Sequence, residues 1–248
     1  MELATPASSS SFPGTQPGTT KAPSDGISAL VIKLSNPAAE GINNANRVQN
    51  DVATQHLVRQ SMAQAGLAPL VPVIYAWAPA TATDAADENG FGWTMSELRS
   101  GVDLDSEFSS LEPEDKEHIL EQIAAILGAI QAAKLPESVT KFGALTFDSS
   151  GRIVSGEAPL LKGVTAGSYV EWKVAKLRAQ LEEAAQSPVI QGWKGNGVDI
   201  RIEKFLTGGG PEKVLTGVDP HQKNLIHGDF STYAPLCSSQ QSANLSQR

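Results

Sequence analysis

The hydrophobic residues in the first part of this chain form short apolar runs separated by polar, glycine-containing stretches. A β-branched run over residues 27–34 predicts a strand, because such side chains suit a pleated, half-buried surface. Helically spaced apolar residues then predict a helix over about residues 46–65, with Gly66 as its stop. Two further runs, residues 72–77 and 92–98, predict two more strands. This part of the chain therefore predicts a small sheet with one helix.

The second part of the chain has mainly the pattern of helices. Isoleucine and leucine recur at helical spacing over residues 113–134, where a proline and acidic side chains suit the first turn of a helix. Residues 142–154 are interrupted by a turn sequence and predict a β-hairpin. Two more helices are predicted over residues 169–185 and 198–206. The predicted fold class is α+β, with a β-rich part followed by a mainly helical part.

The two ends of the chain differ from its middle in composition. Residues 1–26 are mostly Ser, Thr, Pro, Gly and Ala, which bury too little apolar surface to offset the entropy of ordering, so we expect a disordered tail. Residues 232–248 are rich in Ser and Gln and predict an irregular tail. Between them we expect a sheet-containing unit over residues 27–98 and a helical unit over residues 99–231.

Overall composition narrows the classes of function. The formal charge of −8 argues against a general surface for nucleic acid or anionic membranes. The single cysteine, Cys237, excludes an internal disulfide framework and a multi-cysteine zinc site. The sequence shows no secretory signal and no apolar stretch of membrane-spanning length, so we expect a cytoplasmic protein.

Lys33 and Asp51 are the first candidates for chemistry. Lys33 ends the first predicted strand, and Asp51 lies in the helix that follows. A lone lysine at a strand end is usually an ordinary solvated side chain, and surface Lys–Asp pairs contribute little stability. The alternative is a cation that holds nucleotide phosphates and is oriented by the carboxylate. Both interpretations remain open from the residues alone.

Asp229 is the second candidate, in the run Ile226-His227-Gly228-Asp229. Glycine permits a tight backbone path, so the carboxylate can be displayed from a loop and accept the proton of an attacking hydroxyl. A chance tripeptide would look the same, and His227 is equally well explained as a packed structural histidine. Glu97 and Leu98 end the predicted strand over residues 92–98, just before the boundary between the two units. In a two-lobed nucleotide-binding protein this link offers backbone groups to the base; an ordinary strand end is the alternative.

In their order and spacing, these features resemble the aminoglycoside phosphotransferase family, which is related to choline kinases and has the protein-kinase-like fold. The similarity is closest to the fungal members. It covers about residues 28–231 and depends on four segments: Val31-Ile32-Lys33-Leu34, the helix with Asp51, Met95-Ser96-Glu97-Leu98, and His227-Gly228-Asp229-Phe230.

The resemblance implies a two-lobed fold with a small β-rich N-lobe and a helical C-lobe. It also implies transfer of the γ-phosphate of ATP, with magnesium as cofactor, to a hydroxyl of a small molecule. Lys33 would contact the phosphates, and Asp51 stands where the family usually has a glutamate. Glu97 and Leu98 would lie beside the nucleotide, and Asp229 would be the catalytic aspartate.

The chain also departs from the family pattern. The asparagine that holds magnesium in kinase-like enzymes follows the catalytic aspartate by five positions, and here that position is Ala234. No Asp or Glu follows Asp229, and no glycine-rich hairpin precedes Lys33. We therefore assign no metal ligand and expect a chain truncated at both ends with impaired catalysis. Whether it is an enzyme stays open, and the alternatives are an inactive kinase-like binding module or a truncated gene product.

Overall fold

The computed structural model of the chain describes residues 1–36, 44–68, 70–81, 90–101, 104–158, 164–190, 192 and 194–227. Within these residues the elements are β1 (Glu2–Ala7), β2 (Ile27–Ser35), α1 (Asn44–Gln64), β3 (Ile74–Ala78), β4 (Gly92–Glu97), α2 (Leu104–Phe108), α3 (Pro113–Gln131), β5 (Ala144–Phe147), β6 (Ile153–Gly156), α4 (Tyr169–Gln186), α5 (Val198–Thr207) and α6 (Gly210–Val214). The architecture is a mixed α+β arrangement of a small antiparallel sheet and several helices, in agreement with the predicted class.

The larger sheet has four antiparallel strands in the order β1-β2-β4-β3. β2 and β4 pair over most of their length, and Lys33 lies opposite Thr94. The helix α1 connects β2 to β3 and packs on the sheet, where Val48 and Val52 form a buried cluster with Ile74. The strands β5 and β6 form a separate hairpin with Leu145 opposite Ser155. These elements agree with the predicted strand, helix, two strands and hairpin.

Residues 1–26 differ from the disordered tail that their composition predicts. Residues 2–7 form the strand β1, which pairs with β2 and so satisfies its backbone groups. After it, Phe12 packs with the buried residues Ala22 and Leu30. The prediction was based on the polar composition of the segment. It missed that a few apolar side chains, such as Leu3 and Phe12, are enough to pack against one part of the sheet.

The largest buried cluster surrounds α1 and α3. Its members are Ala53, Leu57, Val58 and Met62 of α1, Ile126, Ala129 and Ile130 of α3, together with Ala133, Val139, Leu145 and Leu225. These residues come from both sides of the expected boundary between residues 27–98 and 99–231. The helix α1 is therefore shared by the sheet on one side and by the helical and hairpin elements on the other.

The helices α4, α5 and α6 pack less deeply. Ser168 is the N-cap of α4, and its hydroxyl accepts a hydrogen bond from the Glu171 backbone N–H at 3.2 Å. The helix has no fully buried residue. Arg178 of α4 makes two hydrogen bonds, of 3.1 and 3.0 Å, to the carboxylate of Glu203 on α5. The apolar stripe that predicts α4 is thus only partly covered. In the part of the chain that the structure describes, no helix combines the length and apolar character needed to cross a membrane.

Candidate functional site

Lys33 and Asp51 meet between the sheet and the first helix. The Nζ atom of Lys33 lies 2.6 Å from Oδ2 of Asp51 and donates a hydrogen bond to it. The side chains are 54% and 27% exposed, respectively, so the carboxylate is the more enclosed partner and the ammonium faces outward. The strand-to-helix pair predicted from the sequence is therefore formed.

The local sequence explains why these two side chains meet. Alternate residues of a strand share a face, which places Lys33 on the same side of β2 as the buried Ser35. On α1, Val48 and Val52 are buried against the sheet, and Asp51 lies one turn from Val48 on the same side of the helix. Burial of the two valines therefore holds the Asp51 carboxylate beside the strand that carries Lys33.

The space around this pair is small. A recess of about 10 Å³ is lined by Lys33, Asp51, Arg47 and their neighbours in β2, α1 and β4, a volume that holds about one water molecule. Arg47 brings a second positive charge to the same edge. The recess is too small to enclose a nucleotide. A phosphate group beside Lys33 and Arg47 would therefore bind on the open surface next to the two positive charges.

Glu97 and Leu98 lie farther along the sheet. Glu97 pairs with Leu30, three residues before Lys33 on β2, which corresponds to roughly 10 Å along the strand. The Glu97 N–H donates to the Val73 carbonyl at 2.9 Å, and its carboxylate accepts from the Val73 N–H at 3.2 Å. Leu98 is 51% exposed. The backbone N–H of Glu97 is thus already bonded within the fold.

Charged groups surround the Glu97 carboxylate. Arg99 forms an ion pair with it at 2.9 Å. Burial lowers the pKa of Arg59, and the attraction of Glu97 opposes that shift. Burial also raises the pKa of the Tyr75 hydroxyl, and Glu97 adds to that rise. These contacts give Glu97 a structural role at the start of β3, and its predicted position beside a nucleotide base stays a prediction.

Asp229 and Ala234 lie outside the described residues. The chain that leads to them is described as far as His227, with Leu225 buried in the largest cluster and Ile226 82% exposed. Within the described ranges, no three His, Cys, Asp or Glu side chains come together as metal ligands. The magnesium implied by the family resemblance stays a prediction.

A second place, not indicated by the sequence, is a cleft of about 700 Å³ near the hairpin β5–β6. Its lining includes Phe142, Tyr169, Trp172 and Lys223. Tyr169 and Trp172 lie one turn apart on α4, whereas Phe142 and Lys223 come from two other segments, so no local motif joins the four residues. No sequence pattern singled these residues out as members of one site.

Comparisons of the chain with protein-family models, with curated proteins and with solved structures found no match.

Proposed function

We propose that the Lys33–Asp51 pair binds the phosphates of ATP in a phosphotransferase-like protein that transfers the γ-phosphate to a hydroxyl of a small molecule. The observation that carries this proposal is the 2.6 Å ion pair between a strand lysine and an acid on the next helix. In protein kinases, a lysine on a strand and a glutamate on the following helix form the same kind of pair and position the nucleotide phosphates.

The order of the elements supports the proposal. Lys33 follows Val31 and Ile32, a sequence close to the Val-Ala-Ile-Lys strand motif of kinases. The paired acid comes from α1, directly after that strand along the chain, and two antiparallel strands follow. A two-lobed arrangement, with the helical elements after residue 98 as the second lobe, belongs to the same proposal.

In this proposal Lys33 supplies a positive charge for the phosphates, and Asp51 holds that charge in position. The ammonium of Lys33 has three N–H donors, one of which is directed to Asp51. The carboxylate thus fixes the direction of the side chain, and other donors face the open side where phosphate oxygens would lie. Since phosphoryl transfer depends mostly on positioning and charge neutralisation, loss of this cation would weaken both nucleotide binding and transfer. Asp229 would accept the proton of the acceptor hydroxyl.

A second candidate is a kinase-like module that binds a nucleotide without turnover. Ala234 favours it, because alanine has no oxygen with which to hold a metal at the position where kinase-like enzymes use asparagine. The two candidates share the Lys33 site and differ only in whether ATP is consumed.

The test is isothermal titration of the full chain with ATP, with and without magnesium, for the wild type and Lys33→Ala. We expect the variant to bind ATP at least about tenfold more weakly, the value of one lost charge-assisted hydrogen bond. Lys204→Ala is the matched control, since it removes an exposed lysine from α5 and should leave binding unchanged. Equal affinity of the wild type and Lys33→Ala, or no binding by the wild type, would overturn the proposal.

Turnover separates the two candidates. ADP formation with water as the acceptor should fall in Asp229→Asn if the chain is an enzyme, whereas ATP binding should be retained. A binding module predicts no ADP above the protein-free rate in the wild type, together with binding that depends on Lys33.

A further inference from the structure

The cleft near the hairpin has the size and position of a ligand site. It opens between α1, the end of α3, the segment that enters β5, the start of α4 and residues 218–226. Its volume of about 700 Å³ lies inside the range of roughly 300–1,000 Å³ that is typical of small-molecule pockets. Neither Lys33 nor Asp51 lines it, so it is distinct from the proposed nucleotide site.

Aromatic side chains form one wall of this cleft. Phe142, Tyr169 and Trp172 are all half-buried, and the ring centroids of Phe142 and Tyr169 are 6.0 Å apart with planes tilted by 57°. The buried side chains of Leu145 and Leu225 also line the cleft. A flat ring system can stack against such a wall and remove apolar surface from water at the same time.

The charged residues that line the cleft are Lys141, Lys223 and Asp219. The Nζ atom of Lys223 lies 5.2 Å from the ring centroid of Phe142 and donates a 3.3 Å hydrogen bond to the His221 carbonyl, which holds the cation at the aromatic wall. The Asp219 carboxylate accepts the His221 N–H at 2.9 Å. Two lysines against one engaged carboxylate leave a positive balance, in a chain whose formal charge is −8.

We propose that this cleft binds a small organic anion that combines a flat ring system with a carboxylate. The ring would lie against Tyr169 and Trp172, and the carboxylate would accept hydrogen bonds from Lys223 and Lys141. A charge-assisted hydrogen bond to an ammonium is about twice as strong as a neutral one, so the acid distinguishes this ligand class from neutral aromatic compounds. The proposal does not depend on nucleotide binding, because the cleft and the recess beside Lys33 have no lining residue in common.

The probe is 2-naphthoate, observed by saturation-transfer NMR and by amide chemical shifts of the full chain. 2-Naphthalenemethanol, with the same ring and no charge, is the matched comparison. We expect binding of 2-naphthoate at least about tenfold tighter than that of the alcohol, with shifts at Gly143, Ala144 and Asn224. No binding, equal binding of the two compounds, or shifts confined to other parts of the chain would overturn the proposal.

Variants test the two halves of the site separately. Lys223→Met keeps the length of the side chain and should weaken 2-naphthoate binding about tenfold, whereas Lys204→Met on α5 should not change it. Trp172→Leu should weaken both compounds by about three- to tenfold. If circular dichroism shows that Trp172→Leu does not fold, the comparison of Lys223→Met with Lys204→Met and the wild-type chemical shifts still test the proposal. Lys33→Ala should bind 2-naphthoate as the wild type does, and a loss there would refute a separate site.

Discussion

The Nδ2 atom of Asn46 donates a buried hydrogen bond to the carbonyl oxygen of Leu145 at 3.1 Å. The same amide donates to the Glu157 carbonyl at 2.8 Å. One turn later on α1, Oδ1 of Asn50 accepts the N–H of Leu145 at 3.0 Å. Both backbone polar groups of Leu145 are thus bonded to side chains of α1. The helix that carries Asp51 is in this way fixed to the hairpin beside the cleft.

Loss of the Asn46 amide should therefore destabilise the chain. Asn46→Leu leaves two partly or fully buried carbonyl groups without this donor, and we expect the free energy of unfolding to fall by about 1–3 kcal/mol. Urea denaturation measures the change. Gln64→Leu, an exposed amide on the same helix, should change stability by less than about 0.5 kcal/mol. Equal effects of the two variants would contradict the buried bonds.

Removal of the Lys33–Asp51 pair should have little effect on stability. Both groups are partly solvent-exposed, and exposed ion pairs contribute about 0–1 kcal/mol. Lys33→Ala should therefore lower the free energy of unfolding by no more than about 1 kcal/mol. Thermal and urea unfolding provide the measurement. If Lys33→Ala unfolds like the wild type but binds ATP more weakly, the loss of affinity comes from the missing side chain and not from a less stable fold. A large loss of stability would instead assign the pair a structural role.

The N-terminal segment should contribute to stability although its composition is that of a disordered tail. Phe12 packs near Tyr75 with ring centroids 5.7 Å apart, and the Leu30 N–H donates to the Met1 carbonyl at 3.0 Å. Because Phe12 is only partly buried, Phe12→Ala should cost about 1–3 kcal/mol, less than a fully buried phenylalanine. Deletion of residues 1–12 should also accelerate amide exchange at Leu30.

Two results would contradict this expectation for the N-terminal segment. One is an unchanged unfolding free energy in Phe12→Ala, and the other is rapid exchange of the Leu30 amide in the intact chain. Ser10→Ala is a suitable control, because Ser10 is exposed and bonds mainly to its neighbour Ser8.

Stability should depend on the protonation of His56. Burial lowers the pKa of His56, and the positive charge of Arg59 lowers it further. The folded state therefore favours the neutral imidazole, and the unfolded chain, with an ordinary histidine pKa of about 6.5, binds more protons near and below that value. The resulting stability is fully present above about pH 6.5 and is lost as the pH falls through the lowered pKa.

Urea unfolding between pH 7.5 and pH 5.5 measures this dependence. His56→Gln should flatten the part of the slope that His56 contributes, and His118→Gln should keep it, since the His118 side chain is 66% exposed on α3. Identical slopes for the wild type and His56→Gln would show that His56 does not contribute.

The elements that the sequence predicted are those whose signals are local. The β-branched run over residues 27–34 became β2, and Pro113 with its acidic neighbours begins α3 as expected. The helices α2 and α6, of five residues each, are too short to show a hydrophobic period. The strand β1 was missed because it pairs with residues 20 to 27 positions later in the chain, as in the pairs Ala7–Ile27 and Glu2–Ala29, and composition does not reveal such a pairing.

The sequence by itself determined the fold class, the order of the longer helices and of the strands after β1, and the candidate pair of Lys33 and Asp51. These follow from periodicity, end signals and residue chemistry over short distances along the chain. Tertiary structure alone decided that α1 is shared between the sheet and the hairpin, and that Phe142, Tyr169 and Lys223 face one cleft. These contacts join residues that are distant in the sequence. They form because separate elements bury their apolar faces against one another, which depends on the packing of the whole chain and not on any single segment.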